Sequence, residues 1–256
     1  MSRENIIELA DLTTGYGQHV VTSHINAVLR PGQLISLLGP NGVGKSTLLR
    51  TLGAFQPPLG GQIRVGGKPV EEMTSAQLSR IIGVVLTERP DIQNMTVRDM
   101  VSMGRSPYTG FWGRLTTDDE ALVDEAMQQT GVTPLAARMI NTLSDGERQK
   151  VMIAKALAQH TPVILLDEPT AFLDFPSKVE MMRLLGRLAH QMQKIIFLST
   201  HDVEMALQLS DSLWLMTKEG ITTGPPAQLA QDGTVARFIQ CEGVEFDAAT
   251  LTLRVG

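Results

Sequence analysis

A chain of 256 residues, 43% of them hydrophobic, can bury a substantial core, either as one large α/β domain or as a domain with an inserted lobe. Its 22 basic and 27 acidic residues give a net charge of −5, which argues against a protein that holds nucleic acid by neutralising phosphates. We therefore expect no nucleic-acid partner. Cys241 is the only cysteine, which excludes an intramolecular disulfide and a cysteine-rich metal site.

We expect neither a signal peptide nor a transmembrane helix. Residues 1–5 are polar and charged, unlike the start of a secretory signal. The strongest apolar runs, at 163–166 and 195–198, are much shorter than the roughly 20 residues that cross a bilayer. If the protein serves a membrane process, another chain must supply the membrane-spanning part.

The first predicted elements are strands. Residues 6–36 favour antiparallel strands around a turn at 15–17, and residues 62–65 favour another strand before a Gly-Gly turn. The apolar run at 33–38, which overlaps the end of this region, predicts a buried parallel strand, and residues 46–52 predict a helix after it.

The middle of the chain has a helical pattern instead. Apolar residues at three- and four-residue spacing predict helices over 97–103, 118–130 and 147–158. Strand and helix then alternate again from residue 163, and 244–255 reads as a small strand pair. The economical interpretation is an α/β core that carries an inserted helical lobe.

A phosphate-binding loop follows the predicted strand at 33–38. Its glycines let backbone N–H groups point at phosphate oxygens, and the helix N-terminus that follows adds partial positive charge. Lys45 would reach the β- and γ-phosphates, and the Ser46 hydroxyl would ligate the accompanying Mg²⁺. The sequence therefore predicts that the chain binds a nucleoside triphosphate. The loop consists of Gly39, Pro40, Asn41, Gly42, Val43, Gly44, Lys45, Ser46 and Thr47.

Two adjacent carboxylates end the apolar strand predicted at 163–166. At the end of a strand both side chains can reach the rim of the sheet where phosphates would lie. Asp167 is placed to hold the Mg²⁺ shell, and Glu168 to accept a proton from an attacking water. An Asp-Glu pair alone is more often a solvated turn, but here it follows a buried strand in a chain with a phosphate loop.

The segment 143–149, Leu-Ser-Asp-Gly-Glu-Arg-Gln, resembles the signature of ATP-binding cassette (ABC) ATPases. The usual form is Leu-Ser-Gly-Gly-Glu, so Asp145 departs from it at the middle position. The resemblance implies that Ser144, Gly146 and Glu147 belong to a site completed by a second copy, with two ATP molecules sandwiched in a head-to-tail dimer. Ser144 is equally an N-cap with Glu147 as its capping partner, and both roles are compatible.

Other positions fit the same resemblance in the same order along the chain. Tyr16 matches the aromatic residue that stacks on adenine. Asp174 closes the loop 171–174 that faces the partner subunit, and His201, after a buried strand, matches the histidine that senses the γ-phosphate. The resemblance thus implies three catalytic residues, Lys45, Glu168 and His201.

One position departs from the family pattern. Where such ATPases have a glutamine after a strand, this chain has Glu88, which we interpret as a ligand of Mg²⁺ or of the attacking water. Thr87 or Gln93 is the alternative equivalent of that glutamine. Together with Ser46 and Asp167, Glu88 completes the predicted metal set.

The resemblance covers roughly residues 6–230 and implies one ABC ATPase domain with a P-loop NTPase (RecA-like) core, an N-terminal antiparallel β subdomain and an inserted α-helical subdomain. The core would span about 1–87 and 161–230, the helical signature subdomain about 88–160, and a C-terminal extension 231–256. The implied cofactors are ATP and Mg²⁺.

The segments 94–108 and 113–115 are similar to those of ATPases that serve iron-siderophore, haem and cobalamin importers. This similarity implies a peripheral subunit on the cytoplasmic face of the inner membrane. Its partners would be a second copy, an integral membrane permease and, indirectly, an extracytoplasmic solute-binding protein. A soluble ABC ATPase of the iron–sulfur assembly type and an exporter ATPase are the alternatives.

Overall fold

Two large β-sheets, a small hairpin and nine helices make up the described part of the computed structural model, which covers residues 7–86, 94–110, 113–240 and 244–255. The strands are β1 (Ile7–Tyr16), β2 (His19–Leu29), β3 (Gln33–Leu38), β4 (Gly60–Val65), β5 (Lys68–Pro69), β6 (Ile82–Val85), β7 (Val163–Leu166), β8 (Ile195–Thr200), β9 (Ser212–Thr217), β10 (Gly220–Gly224), β11 (Val244–Asp247) and β12 (Thr252–Val255). The helices are α1 (Lys45–Leu52), α2 (Ser75–Leu78), α3 (Val97–Ser102), α4 (Thr117–Thr130), α5 (Asp145–Ala158), α6 (Phe175–Met192), α7 (Val203–Leu209), α8 (Pro226–Gln231) and α9 (Thr234–Ile239).

The central sheet has six strands in the order β10-β9-β3-β8-β7-β6. All its neighbours are parallel except β10, which runs antiparallel to β9. Strand β8 lies between β3 and β7, with Leu38 opposite Thr200 and Leu166 opposite Leu198. The carboxyl ends of these three strands therefore meet at one edge, where ligands bind in open parallel sheets.

Both faces of the central sheet are covered, which explains why its strands are continuously apolar. Ile164 and Leu166 of β7 pack with residues of helices α3 to α6 on one face. Val163 and Leu165 point the other way, into a cluster with α1 and the strands of the second sheet. The second sheet is antiparallel, with the order β2-β1-β4-β5.

The predicted turn at 15–17 is shifted in the structure. Gly15 and Tyr16 still belong to β1, where they pair with Val20 and His19. A Cβ on Gly15 would lie 2.0 Å from the carbonyl oxygen of His19, so the close approach of β2 at this position requires glycine. The turn itself occupies residues 17 and 18.

Capping boxes set where three helices of the middle region begin. Thr96, Thr116 and Ser144 each accept a hydrogen bond from the backbone N–H three residues on, and the acidic side chain there bonds back. Helices α4 and α5 therefore begin one and two residues before the predicted starts at 118 and 147. Among the described residues, no helix is both long and apolar enough to cross a membrane.

A buried ion pair fixes the C-terminal end of α5 to α4. Arg105 and Asp119 are 5% and 6% exposed, and the Arg105 Nε donates to Asp119 Oδ1 over 2.8 Å. The same guanidinium donates through Nη1 to the carbonyl oxygen of Ala158 over 2.9 Å, and it lies 4.0 Å from the ring centroid of Tyr108. Hydrogen bonds from Thr116, and then from Arg105, lower the pKa of Asp119 to about 2.

Replacing Asp119 with Asn should lower the free energy of unfolding at pH 7 by about 3 kcal/mol, because the buried guanidinium loses its counter-charge. The pKa of Asp119 is lower in the folded state, so its contribution is present above about pH 4 and is lost as the pH falls toward 2. Urea denaturation should show the difference from wild type shrinking between pH 7 and pH 3. Asp118→Asn, an exposed neighbour, is the control, and an equal effect of the two changes would contradict the assignment.

Candidate functional site

The loop between β3 and α1 has the backbone shape that its glycines allow. Gly42 and Gly44 have φ angles of +75° and +117°, a region that side-chain-bearing residues rarely adopt. A Cβ on Gly44 would also lie 2.0 Å from Cγ1 of Val21. The loop therefore closes tightly over the first turn of α1, whose backbone N–H groups face the space above it.

Lys45 is folded back over this loop. Its Nζ donates to the carbonyl oxygens of Gly39 and Pro40 over 2.8 and 3.2 Å. Burial lowers the pKa of Lys45, whereas the nearby carboxylates of Glu168 and Asp167 raise it. The ammonium group is thus partly desolvated, which favours a strongly anionic ligand in the loop.

The two carboxylates at the end of β7 lie beside the loop and have different partners. Ser46 Oγ donates to Asp167 Oδ2 over 3.1 Å. Glu168 turns the other way with a φ of +48°, and its Oε1 lies 2.5 Å from Nε2 of His201. Residues separated by more than a hundred positions in the sequence therefore converge at the edge formed by β3, β7 and β8.

Ser199 is a residue of this site that the sequence analysis missed. It is fully buried in β8, its Oγ donates to Asp167 Oδ1 over 2.7 Å, and it accepts the backbone N–H of Glu168 over 2.9 Å. The only sequence signal was a small polar residue at the end of an apolar strand, two positions before His201.

A surface depression of about 330 Å³ lies over the loop, within the size range of ligand sites. Tyr16 is at its rim, half-exposed, and its hydroxyl is hydrogen-bonded to Thr47 Oγ1. His19 and Val21 of β2 line it as well, although neither was predicted. The predicted residues that line it are Tyr16, Asn41, Gly42, Gly44, Lys45, Ser46, Thr47 and Glu168.

The predicted signature residues lie apart from this depression. Ser144 and Glu147 form the capping box of α5, and hydrogen bonds from Ser144 lower the pKa of Glu147. Gly146 is on the first turn of the same helix. Asp174 caps α6 by accepting the backbone N–H of Ser177, and hydrogen bonds from the side chain and then the backbone of Ser177 lower the pKa of Asp174. Within the described residues, no lining residue of the depression comes from α5 or α6.

The oxygen atoms at the end of β7 fit a Mg²⁺ ion that also binds substrate phosphates. Ser46 and Asp167 offer a hydroxyl and a carboxylate, which are hard oxygen ligands, within one hydrogen-bond distance of each other. The described residues contain no cluster of three or more His, Cys, Asp or Glu side chains able to hold a metal ion. The third predicted ligand, Glu88, lies outside the described residues, as do its alternatives Thr87 and Gln93.

Comparison with known proteins decides the family. The ABC transporter family model matches residues 22–171, more than half of the chain. The chain belongs to the ABC transporter family. The achromobactin transport ATP-binding protein CbrD of Dickeya dadantii is 36% identical over 88% of this chain and 84% of that protein. The cobalamin import ATP-binding protein BtuD of Halobacterium salinarum is 38% identical over 90% of this chain, which spans 58% of that relative.

A solved ABC transporter cassette has the same fold. The dimeric structure of MJ0796, a bacterial ABC transporter cassette, superposes with a TM-score of 0.72 at 25% identity over 86% of this chain and 98% of that one. The predicted ABC ATPase fold, with its antiparallel β subdomain and inserted helices, is therefore confirmed. So is the prediction that the chain is an ATP-binding ATPase. The roles of individual site residues stay predictions.

Gly44→Ala should weaken ATP binding to this ABC cassette by at least about tenfold, or 1.4 kcal/mol, because the added Cβ would displace Val21 and open the loop. Titration calorimetry with ATP measures the change. Gly67→Ala is the matched control, since its φ is +82° but no atom lies within 4 Å of the added Cβ. The control should cost about 1 kcal/mol of stability and no ATP affinity. Wild-type affinity in Gly44→Ala would contradict the tight-loop interpretation.

Proposed function

We propose that the chain is the ATP-hydrolysing subunit of an importer for an iron-siderophore, haem or cobalamin-like ligand. The observation that carries this proposal is the convergence of Lys45, Asp167, Glu168 and His201 at one sheet edge. The names of the two relatives, an achromobactin transport and a cobalamin import ATP-binding protein, support the ligand class.

The site divides the work of hydrolysis among a few side chains. Lys45 and the loop amides hold the β- and γ-phosphates. Glu168 accepts a proton from the attacking water, and His201, within 2.5 Å of that carboxylate, contacts the γ-phosphate. Bound Mg²⁺, held by Ser46, Asp167 and, in this proposal, Glu88, would neutralise charge on the phosphates.

A second copy of the chain completes the site in this proposal. Ser144, Gly146 and Glu147 lie at the exposed N-terminus of α5, a place that favours phosphate. They would face the ATP of the partner in a head-to-tail dimer, and Asp174 would lie at the same interface. The dimeric structure of the related cassette MJ0796 supports dimer formation. ATP binding would close the dimer and hydrolysis would reopen it.

Glu168→Gln should reduce ATP turnover by at least about a hundredfold, since an amide cannot accept the proton of the attacking water. It should still bind ATP and should accumulate as a closed dimer. Phosphate release measures turnover, and size-exclusion chromatography with light scattering measures the dimer in ATP.

Glu180→Gln is the matched control, because Glu180 is an exposed carboxylate on α6 that pairs with Lys150. It should keep both turnover and the monomer–dimer balance of wild type. Near-normal turnover in Glu168→Gln would contradict the assignment of Glu168 as the group that accepts the proton of the attacking water.

A second surface of the chain has the apolar character expected of a docking site for the permease. An apolar groove beside Ser46 and Asp167 is lined by residues of α1, β6 and β7 and by two exposed apolar side chains, Phe55 and Leu86. Phe55 is 63% exposed and Leu86 40% exposed. We infer that a permease helix docks here and against the predicted segment 94–108, next to the ATP site.

Phe55→Asp should abolish co-purification with the permease, because it places a charge in the apolar groove. ATP binding by the isolated chain should change by less than about twofold, which is under 0.5 kcal/mol. Val28→Asp, a 43% exposed apolar position on β2, is the control and should keep the permease bound. Retention of the permease by Phe55→Asp would exclude the groove as its docking surface.

We further propose that the chain forms one ATPase domain, with a core over about 1–87 and 161–230, a helical subdomain over about 88–160 and a C-terminal extension over 231–256. This domain would lie at the cytoplasmic face of the inner membrane. A solute-binding protein would act on it indirectly, through the permease. Co-purification from detergent-solubilised membranes, followed by ATPase assays with candidate ligands, tests the import role. Association with soluble assembly proteins alone would reject it in favour of the iron–sulfur assembly alternative.

A further inference from the structure

One buried hydroxyl contacts both residues that carry the carboxylates of the site. Ser199 Oγ donates to Asp167 Oδ1 and accepts the backbone N–H of Glu168, over 2.7 and 2.9 Å. The hydroxyl of a buried serine commonly donates its hydrogen bond to a nearby backbone carbonyl. Here, both partners belong instead to the two residues proposed to bind the metal and to activate water.

The hydrogen bond to Asp167 fixes the direction of that carboxylate. Oδ1 is held by Ser199, so Oδ2 is directed at Ser46, 3.1 Å away. Loss of the hydrogen bond from Ser199 would hold the carboxylate less firmly about its terminal torsion, which is broad. Partners that orient metal-binding groups typically contribute tenfold or more to affinity.

The hydrogen bond from Glu168 stabilises an unfavourable backbone conformation. Glu168 has a φ of +48°, in the left-handed region that disfavours residues with a side chain. This turn aims the Glu168 carboxylate at His201. Ser199 accepts the N–H at the turn, and it lies on the rigid central strand that also leads to His201.

We propose that Ser199 is a positioning residue that orients Asp167 toward the metal and Glu168 toward His201. The inference rests on the proposed roles of those two carboxylates. In this proposal Ser199 acts through Asp167 and Glu168 and not on the substrate or the metal.

Ser199→Ala should raise the Mg²⁺ concentration needed for half-maximal thermal stabilisation by a non-hydrolysable ATP analogue by about tenfold, because a hydrogen bond to a charged group is lost. The turnover number should fall by about tenfold or more, whereas affinity for the analogue in EDTA should stay at the wild-type value. Ser199→Thr keeps the hydroxyl and should restore most of the Mg²⁺ response.

Ser36→Ala is the matched control. Ser36 is fully buried in the neighbouring strand β3, and its hydroxyl is hydrogen-bonded to Ser210 Oγ over 2.6 Å, away from both carboxylates. It should lower the melting temperature as Ser199→Ala does but leave the Mg²⁺ requirement unchanged. A Mg²⁺ shift of the same size in Ser36→Ala would overturn the inference.

Asp167→Asn distinguishes a failure of the positioning role of Ser199 from a failure of the proposed metal site. If it raises the Mg²⁺ requirement while Ser199→Ala does not, Ser199 has no positioning role and the proposed site stands. If Asp167→Asn also leaves the requirement unchanged, the proposed metal site fails, and the role of Ser199 fails with it.

Discussion

The parallel pairing of β8 with β3 on one side and β7 on the other is the constraint on which the whole site depends. It places the phosphate loop after β3, the carboxylates after β7 and His201 after β8 at one edge. Apolar side chains on both faces hold this pairing, with helices against one face and the antiparallel sheet against the other. The chemistry at the edge is therefore built on strands that are buried on both faces.

Contiguous patterns could be predicted from the sequence, whereas contacts across the sheet could not. The phosphate loop and the pair Asp167-Glu168 each occupy one short segment, so the amino-acid sequence alone indicates their chemistry. The place of β8 between β3 and β7 depends on topology, and alternation along a strand carries no information about its neighbours. That is why His201 was found only by resemblance, and why Ser199 was missed.

Local hydrogen bonding accounts for the smaller differences. Helices α4 and α5 begin directly after their capping residues, Thr116 and Ser144, and before the first residues of the apolar repeat. The apolar repeat by itself therefore predicted both helix starts too late. The two interpretations of Ser144 remain compatible. In this chain its hydroxyl caps α5, and the helix N-terminus that it stabilises is the feature proposed to meet the partner's ATP.

The polar side chains around the phosphate loop are hydrogen-bonded to other groups of the same chain. Lys45 bonds to loop carbonyls, Ser46 to Asp167, and Glu168 to His201. Exchanging one hydrogen bond for another contributes little net free energy. Charge makes the difference, since burial lowers the pKa of Lys45 and the negative charge of a triphosphate would raise it. In the proposed dimer, ATP would supply the negative charge that draws the two halves of the site together.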